Sequence, residues 1–208
     1  MTSFFLSPAQ LSSVASLAAA TSRDKAVPIL STVKITASPS TVQAVASDRY
    51  VAARLTFSLG DTAHTLPDEG ATLLLSAADL AILAKAKAGF MLTFDSEDDR
   101  PAGRVTAESD TGVAFTFSAP SGNFPPVERL IPDDASDCAI PAGIKVTAAL
   151  FAKLAKLRLP GETAAEGSGA AYSIAYPPTV SQHKQSPLVA TRSEGSGDLT
   201  VLVQPCTR

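Results

Sequence analysis

The sequence predicts an α+β fold made of three strand–helix–three-strand repeats. The main observation behind this prediction is one phrase that occurs three times: "SPAQL" begins at Ser7, "SAADL" at Ser76 and "TAALF" at Thr147. These starts lie 69 and 71 residues apart, so three such periods account for the 208 residues of the chain. A regular period indicates an array of like structural units, each built from the same succession of elements.

Each repeat opens with a short apolar run, "SFFL", "TLLL" or "GIKV", that stops at a Ser or Thr. This arrangement predicts a strand followed directly by the N-cap of a helix. Pro8 suits the first helical position, and Gln10 and Asp79 stand where a capping box needs them, three residues after their caps. Thr147 is expected to cap the third helix.

Apolar residues recur at helical spacing behind each cap, so each helix has one face to bury. They are Leu11, Val14 and Ala18, then Leu80, Leu83 and Ala84, then Val146, Leu150, Leu154 and Leu157. Three runs typical of strands follow each helix, separated by Pro, Gly, Asp and Ser. They are "VPILSTVKITA", "TVQAVASD" and "VAARLTFSL", then "GFMLTFDS", "GRVTAES" and "VAFTFSA", then "AYSIAY", "PLVATRS" and "LTVLVQP". The stretches "EGSGA" and "EGSGD" are interpreted as flexible linkers.

The repeats define three units: unit one is 1–68, unit two is 69–132 and unit three is 133–208. One unit leaves a helix stripe and a sheet face uncovered, so neighbouring units should pack side by side. The ends of such an arc are unpaired strand edges, which closure into a ring of several chains would remove.

Composition argues against several classes of function. The formal charge is −3, so the chain lacks the overall basic excess that is typical of nucleic-acid-binding proteins. The two cysteines form no C-x-x-C pair, and His64 and His183 lie in loop-like stretches outside any catalytic motif. We therefore expect no enzyme activity, metal or cofactor. We also expect no membrane span and no signal peptide, and a cytoplasmic location.

Four segments resemble the bacterial DNA polymerase III beta subunit, the DNA sliding clamp. They are "VPILSTVKI" at 27–35, "AVASDRYVAARL" at 44–55, "GNFPPVERLIP" at 122–132 and the C-terminal "GDLTVLVQPCTR". Their order and intervals fit the repeat. The resemblance implies the DNA-clamp fold, with helices lining a ring and sheets outside, in a shortened, phage-type version. It also implies that units one and two (1–132) form a full clamp domain and that unit three (133–208) is a clamp half-domain.

The resemblance implies a processivity factor that encircles duplex DNA without sequence preference and tethers a replicative polymerase, placed on DNA by a clamp loader. Basic residues on and after the helices would touch phosphates through water. The candidates are Arg23, Lys25, Lys85, Lys87, Lys153, Lys156 and Arg158. On a helical wheel, Lys153 and Lys156 flank an alanine face of Ala148, Ala152 and Ala155, opposite the leucines.

The resemblance also implies a pocket for polymerase tail peptides. Position by position it carries to Leu30, Ser47, Arg49, Tyr50, Val51, Ala52, Pro125, Leu130, Leu202, Gln204, Pro205 and Cys206. This chain departs from the family pattern at Tyr50-Val51-Ala52 and at Cys206-Thr207-Arg208.

Known clamps use about twelve strand-helix-three-strand units per ring, so three units per chain predict a homotetramer rather than a trimer or dimer. An odd number of units per chain would make successive chains alternate in orientation. A smaller or open assembly is the alternative for the oligomer. The alternative for the function is a repeat-built scaffold protein that binds protein partners without encircling DNA.

Overall fold

A computed structural model describes residues 1–24, 26–95, 103–118, 120, 122–130, 147–175 and 187–204. Unit one consists of β1 (Thr2–Leu6), α1 (Pro8–Ser16), β2 (Thr32–Ala37), β3 (Thr41–Ser47) and β4 (Val51–Ser58). Unit two repeats this order with β5 (Ala71–Ser76), α2 (Ala77–Lys85), β6 (Phe90–Phe94), β7 (Arg104–Ser109) and β8 (Ala114–Ser118). The predicted succession of elements is confirmed for both units.

Unit three contains α3 (Ala148–Leu154), α4 (Ala164–Gly169), β9 (Ser173–Ala175), β10 (Leu188–Glu194) and β11 (Gly197–Val203). The predicted first strand at 143–146 and the expected boundary at 132/133 lie outside the described residues. The mixed α+β architecture, with two antiparallel sheets and few helices, agrees with the predicted fold class.

The first two helices start where the sequence predicts, because both capping boxes form. The Ser7 side chain accepts from the Gln10 backbone N–H at 3.3 Å, and Gln10 Oε1 accepts from the Ser7 N–H at 2.9 Å. Ser76 and Asp79 make the same pair of bonds at 3.1 and 3.3 Å. Thr147 occupies the N-cap position of α3 as predicted, but its side chain makes no capping hydrogen bond.

Units one and two exchange their first strands. One sheet has the order β1-β6-β7-β8, so β1 of unit one lies at the edge of the unit-two sheet. The other has the order β5-β2-β3-β4-β11-β10-β9, so β5 of unit two completes the unit-one sheet. Helices α1 and α2 pack against each other beneath these sheets. The two units therefore bury their open faces in each other.

Unit three lies beside unit one, although unit two precedes it in the chain. Strand β11 pairs antiparallel with β4, from Asp198 opposite Thr56 to Val203 opposite Val51. The spatial order of the units is thus two, one, three. Among the described residues, β8 and β9 each have a single neighbouring strand, which leaves one open edge at each end of the array.

One apolar core runs through all three units. It holds Leu11, Leu80 and Leu154 from the three long helices together with inward residues of both sheets. Alternation along the strands sorts the two faces of the long sheet. Ala53 and Val201 belong to this core, whereas Ala52 and Leu202 belong to a second cluster on the opposite face.

Some local predictions are wrong. The residues Pro28–Ser31 form a 3₁₀ turn and not the start of a strand, since β2 begins at Thr32. "EGSGA" lies largely in α4, whose start is capped by Thr163 and Glu166, and "EGSGD" is the tight turn between β10 and β11. Helix α3 ends at Leu154, so Lys156, Leu157 and Arg158 lie beyond it and not on its wheel.

Candidate functional site

The outer face of the long sheet carries a second apolar cluster, which we call the groove, and the segment that follows β8 covers it. Val127, at the start of a 3₁₀ turn (Val127–Leu130), packs with Val45, Ala52, Val189 and Leu202 from β3, β4, β10 and β11. All five side chains are buried, with at most 7% of any one exposed. The groove therefore spans the junction where β4 of unit one meets β11 of unit three.

Phe124 extends this groove towards the 3₁₀ turn Pro28–Ser31. Its half-buried ring packs against the cluster around Val127 and also against a neighbouring cluster. That neighbouring cluster contains Leu30, Ile29 and Leu74. The structure thus brings Leu30 close to Ala52 and Leu202 through an aromatic ring that sequence reasoning did not select.

A tight turn between β3 and β4 borders the groove. Asp48 Oδ1 accepts from the backbone N–H groups of Tyr50 and Val51 at 3.1 and 2.8 Å, and Arg49 takes a positive φ of 80°. The Ser47 hydroxyl donates to the Val51 carbonyl at 3.0 Å. These bonds hold the Tyr50 side chain outward, where 63% of it is exposed.

The pocket residues predicted from the resemblance fall into three groups. Leu30, Ser47, Val51, Ala52 and Leu202 are buried. Tyr50 and Leu130 are exposed, at 63% and 62%, and the backbone N–H of Gln204 donates to the Tyr50 carbonyl at 2.8 Å. Arg49 is exposed and Pro125 is partly buried. Pro205 and Cys206 lie outside the described residues.

Sequence reasoning missed Val45, Phe124, Val127 and Val189, which fill the same groove. A usable signal was present for the strand residues: Val45 and Val189 alternate with the core residues Ala44, Ala46, Leu188 and Ala190. Strands that are apolar on both faces are buried on both. That pattern predicts a cover on the outer face.

An ion pair connects unit three to the turn beside the groove. Lys153 Nζ of α3 contacts Asp48 Oδ2, and the two side chains are only 21% and 15% exposed. Lys153 was predicted as a mobile charge on a helix flank, yet it is held by Asp48. The other oxygen of the same carboxylate fixes the turn at Tyr50.

The remaining predicted cations that the structure describes lie on the helices or in the segments that follow them. Lys85 is exposed in the last turn of α2, and Lys87, also exposed, follows with a positive φ of 53°. Lys156 is exposed beyond α3, and Arg23 is exposed after α1. Lys25 lies outside the described residues.

Arg158 ties unit three to α1. Its backbone N–H donates to Ser16 Oγ at 3.0 Å, and its guanidinium Nη1 is 3.5 Å from Ser12 Oγ. Helix α1 itself contains no charged residue. The helix layer therefore runs from α2 through an uncharged α1 to the segment after α3, with the cations towards its two ends.

A second polar cluster anchors the chain between α3 and β10. Arg192, 7% exposed, pairs with Glu162, and its Nε lies 3.9 Å from Glu194 Oε1. The guanidinium carbon is 5.6 Å from the centre of the Tyr172 ring, and the Tyr172 hydroxyl donates to the Leu154 carbonyl at 3.0 Å. Burial raises the pKa of Tyr172, the Arg192 charge opposes this, and Glu162 adds to it.

A shallow depression of about 600 Å³ lies next to this cluster. Glu162, Glu166 and Glu194 are among its lining residues, so its lining is acidic. Hydrogen bonds from the Thr163 backbone N–H and hydroxyl lower the pKa of Glu166. Glu162 and Glu166 each already accept a backbone hydrogen bond, from Leu159 and Thr163. Within the described part of the chain, no group of three or more His, Cys, Asp or Glu could hold a metal ion.

Solved structures with the same architecture are bacterial clamps. The Helicobacter pylori beta clamp, in complex with 3,4-difluorobenzamide, aligns with a TM-score of 0.70 and 11% identity, over 100% of this chain and 66% of that chain. The DNA polymerase III beta chain of Streptococcus pneumoniae aligns with a TM-score of 0.63 and 14% identity, over 100% and 65%. The chain has the fold of the DNA sliding clamps.

The DNA polymerase III beta sliding clamp of Bartonella birtlesii aligns equally well, with a TM-score of 0.63, 15% identity and coverage of 100% and 66%. Against these three clamps, the chain spans just under two thirds of the length of the protein it matches. No protein-family model and no curated protein matches the sequence. The resemblance seen in the sequence is thus confirmed at the level of the clamp fold. Among the described helices, none is long and apolar enough to cross a membrane.

Proposed function

We propose that this protein is a DNA sliding clamp, a non-enzymatic processivity factor that encircles duplex DNA and tethers a replicative DNA polymerase. One observation supports the proposal: Leu11, Leu80 and Leu154 of α1, α2 and α3 pack into one core against both sheets, and among the described strands β8 and β9 each have a single neighbour. An open array with its helices towards DNA and its sheets outward becomes a closed ring only when further chains join its open strand edges. This function would also require a clamp loader as a partner. The protein would act in the cytoplasm, which is the cytoplasm of the bacterial host if a phage encodes the protein.

Contact with DNA would be weak and independent of sequence. Exposed positive charge comes from Lys85, Lys87, Lys156 and Arg23. Arg158, whose guanidinium lies near Ser12, and Lys25 are proposed with them. Phosphate contacts of this kind position a protein without reading bases and weaken as salt rises. Lys153 is the least available of the proposed DNA contacts because Asp48 already pairs with it.

The polymerase would bind at the groove beside the Asp48 turn. Ala52 and Leu202 form an apolar floor beneath Val127, and Tyr50 and Leu130 are the exposed apolar side chains that a peptide would contact first. A short peptide with apolar anchors suits an apolar groove with a few polar edges. Ser47, Arg49, Val51, Pro125, Leu30, Gln204, Pro205 and Cys206 complete the proposed peptide site.

Four chains would close the ring, since about twelve units surround a duplex in known clamps and each chain supplies three. Light scattering after size-exclusion chromatography should then give four times 21.3 kDa. A dimer or trimer would contradict this count without excluding a clamp of another size.

Retention on circular DNA tests the function. The protein, with its loader and ATP, should stay on nicked circular DNA at a salt concentration that removes simple phosphate binders, and linearising the circle should release it. The alternative is a scaffold protein that binds protein partners without encircling DNA, and it predicts equal and salt-sensitive binding to both DNA forms. Primer extension on long templates, with the cognate polymerase, should give longer products when the clamp is loaded.

A further inference from the structure

Units one and two cover each other's helix and strand edge, so their contact shows which surfaces a unit needs to have covered. The first of the three consecutive strands in each unit, β2 or β6, has the opening strand of the other unit on its free side. The two helices α1 and α2 pack against each other. A unit is therefore complete when a second, like unit covers its helix and that strand edge.

Within the described part of unit three, the same surfaces have no covering unit. Strand β9 corresponds to β2 and β6 as the first of three consecutive antiparallel strands, and among the described strands only β10 pairs with it. Ile174, at the centre of β9, is 45% exposed. An open strand edge with an apolar side chain is a template for pairing with another chain.

The helix caps allow a comparison at one equivalent position. The fourth residue after the N-cap is Leu11 in α1, Leu80 in α2 and Phe151 in α3. Leu11 and Leu80 are 1% and 0% exposed, whereas Phe151 is 41% exposed. Unit three thus carries a large aromatic side chain at the position where both other units bury a leucine. The contrast with two buried leucines at the equivalent position makes Phe151 a candidate contact residue for a covering unit.

We propose that unit three of a second copy of this chain covers unit three. The two units would meet about a two-fold axis, with α3 against α3 as α1 lies against α2, and with the two β9 edges at the same interface. The pairing of units one and two supports this occupant, because it shows that two like units of this chain make complementary surfaces. A two-fold contact requires only that one patch be self-complementary.

This interface deepens the proposed function, on which its place within a closed ring rests. The interface joins two chains through their third units, so successive chains in a ring alternate in orientation. The remaining ring contacts would then be made by the β8 edges at the other end of each chain. The two-fold contact itself requires neither DNA nor a polymerase. A protein that forms this interface but is not retained on circular DNA would contradict the clamp function and leave the interface standing.

Cross-linking tests the two-fold arrangement. In full-length protein with Cys138 and Cys206 replaced by Ser, the Phe151→Cys variant should give a covalent dimer with a short bis-maleimide, because the two copies of residue 151 face each other across the axis. A head-to-tail contact would place residue 151 near the β8 edge of the next chain. No dimer from Phe151→Cys alone, or a product only when Val113→Cys is also present, would overturn the proposal.

Association measurements provide a second readout. Phe151→Asp should weaken self-association at least tenfold, by the usual effect of removing a central aromatic anchor, and lower the mass seen by light scattering. Ile82→Asp is the matched control: it lies on α2, is 43% exposed and should leave the mass unchanged. An unchanged mass for Phe151→Asp, or an equal loss in both variants, contradicts the interface. If Phe151→Asp fails to fold by circular dichroism, the cysteine cross-link decides.

Discussion

Lys153 of α3 contacts the carboxylate of Asp48, and this ion pair fixes unit three to the turn between β3 and β4 of unit one. The two carboxylate oxygens of Asp48 have different partners. Oδ2 contacts Lys153 Nζ, and Oδ1 accepts hydrogen bonds from the backbone N–H groups of Tyr50 and Val51. The position of α3 is therefore connected to the turn that presents Tyr50 beside the groove.

A double-mutant cycle should measure this connection. Lys153→Met keeps the aliphatic stem and removes the charge, and Asp48→Asn keeps an acceptor for the turn. Each should lower the free energy of unfolding by about 1–2 kcal/mol, with a coupling energy of similar size, because both side chains are largely buried. Asp48→Ala should cost more, since it also removes the two hydrogen bonds of the turn. Chemical denaturation gives all four values, and a coupling energy near zero would show that the pair contributes nothing.

Charge reversal on the helix side should weaken retention on DNA. Lys156→Glu combined with Lys85→Glu should shorten the time that the protein stays on circular DNA. The slope of log binding constant against log salt concentration should also become less steep, by about one unit for each phosphate that the protein no longer neutralises. Arg104→Glu is the control, because Arg104 is exposed on β7 of the outer sheet. It makes the same change in charge per site and should have no effect. Equal losses in both proteins would mean that net charge alone governs binding.

Tyr50→Ala should weaken binding of a polymerase tail peptide about tenfold, which corresponds to about 1.4 kcal/mol. Tyr50 is exposed on a turn whose backbone is fixed by Asp48, so its removal should leave the unfolding free energy nearly unchanged. Fluorescence anisotropy with a labelled peptide measures the affinity. Val113→Ala removes a different exposed apolar side chain, in the turn before β8, and should bind the peptide normally. Normal binding by Tyr50→Ala would place the peptide elsewhere.

The elements of units one and two could be predicted because their signals are local. The Ser7 and Ser76 caps, the leucine spacing and the strand alternation each act over a few residues. The weaker predictions concern unit three, where the cap residue Thr147 makes no side-chain bond and α3 stops after seven residues. Lys156 and Arg158 then fall on a segment beyond the helix, which a helical wheel cannot place.

The groove could be predicted only in part for a different reason. Sequence resemblance selected residues of the β3–β4 turn and β11, which do lie together. It missed Phe124 and Val127, because their burial depends on a sheet junction between units that are distant in the chain. The Lys153–Asp48 and Arg192–Glu162 pairs are equally non-local. No spacing rule links a charge to a partner brought near by packing alone.

Tyr172 should ionise later than an ordinary tyrosine. Its pKa is raised chiefly by burial, and its hydroxyl donates to the Leu154 carbonyl, a bond that the phenolate cannot make. The neutral form is therefore favoured in the folded protein. The resulting stability is fully present below the unfolded pKa of about 10 and is lost as the pH rises through the higher folded value.

Absorbance titration of the native protein should accordingly show that the Tyr172 hydroxyl group ionises late. Tyr172→Phe should remove that group, and its unfolding free energy should fall less steeply above pH 10 than that of the wild type. Tyr50→Phe is the matched control, because the exposed Tyr50 should leave the late group in place. If Tyr172→Phe retains it, the Tyr172 hydroxyl is not held at the end of α3, and Arg192 and Glu162 alone must anchor the segment that leads to β9.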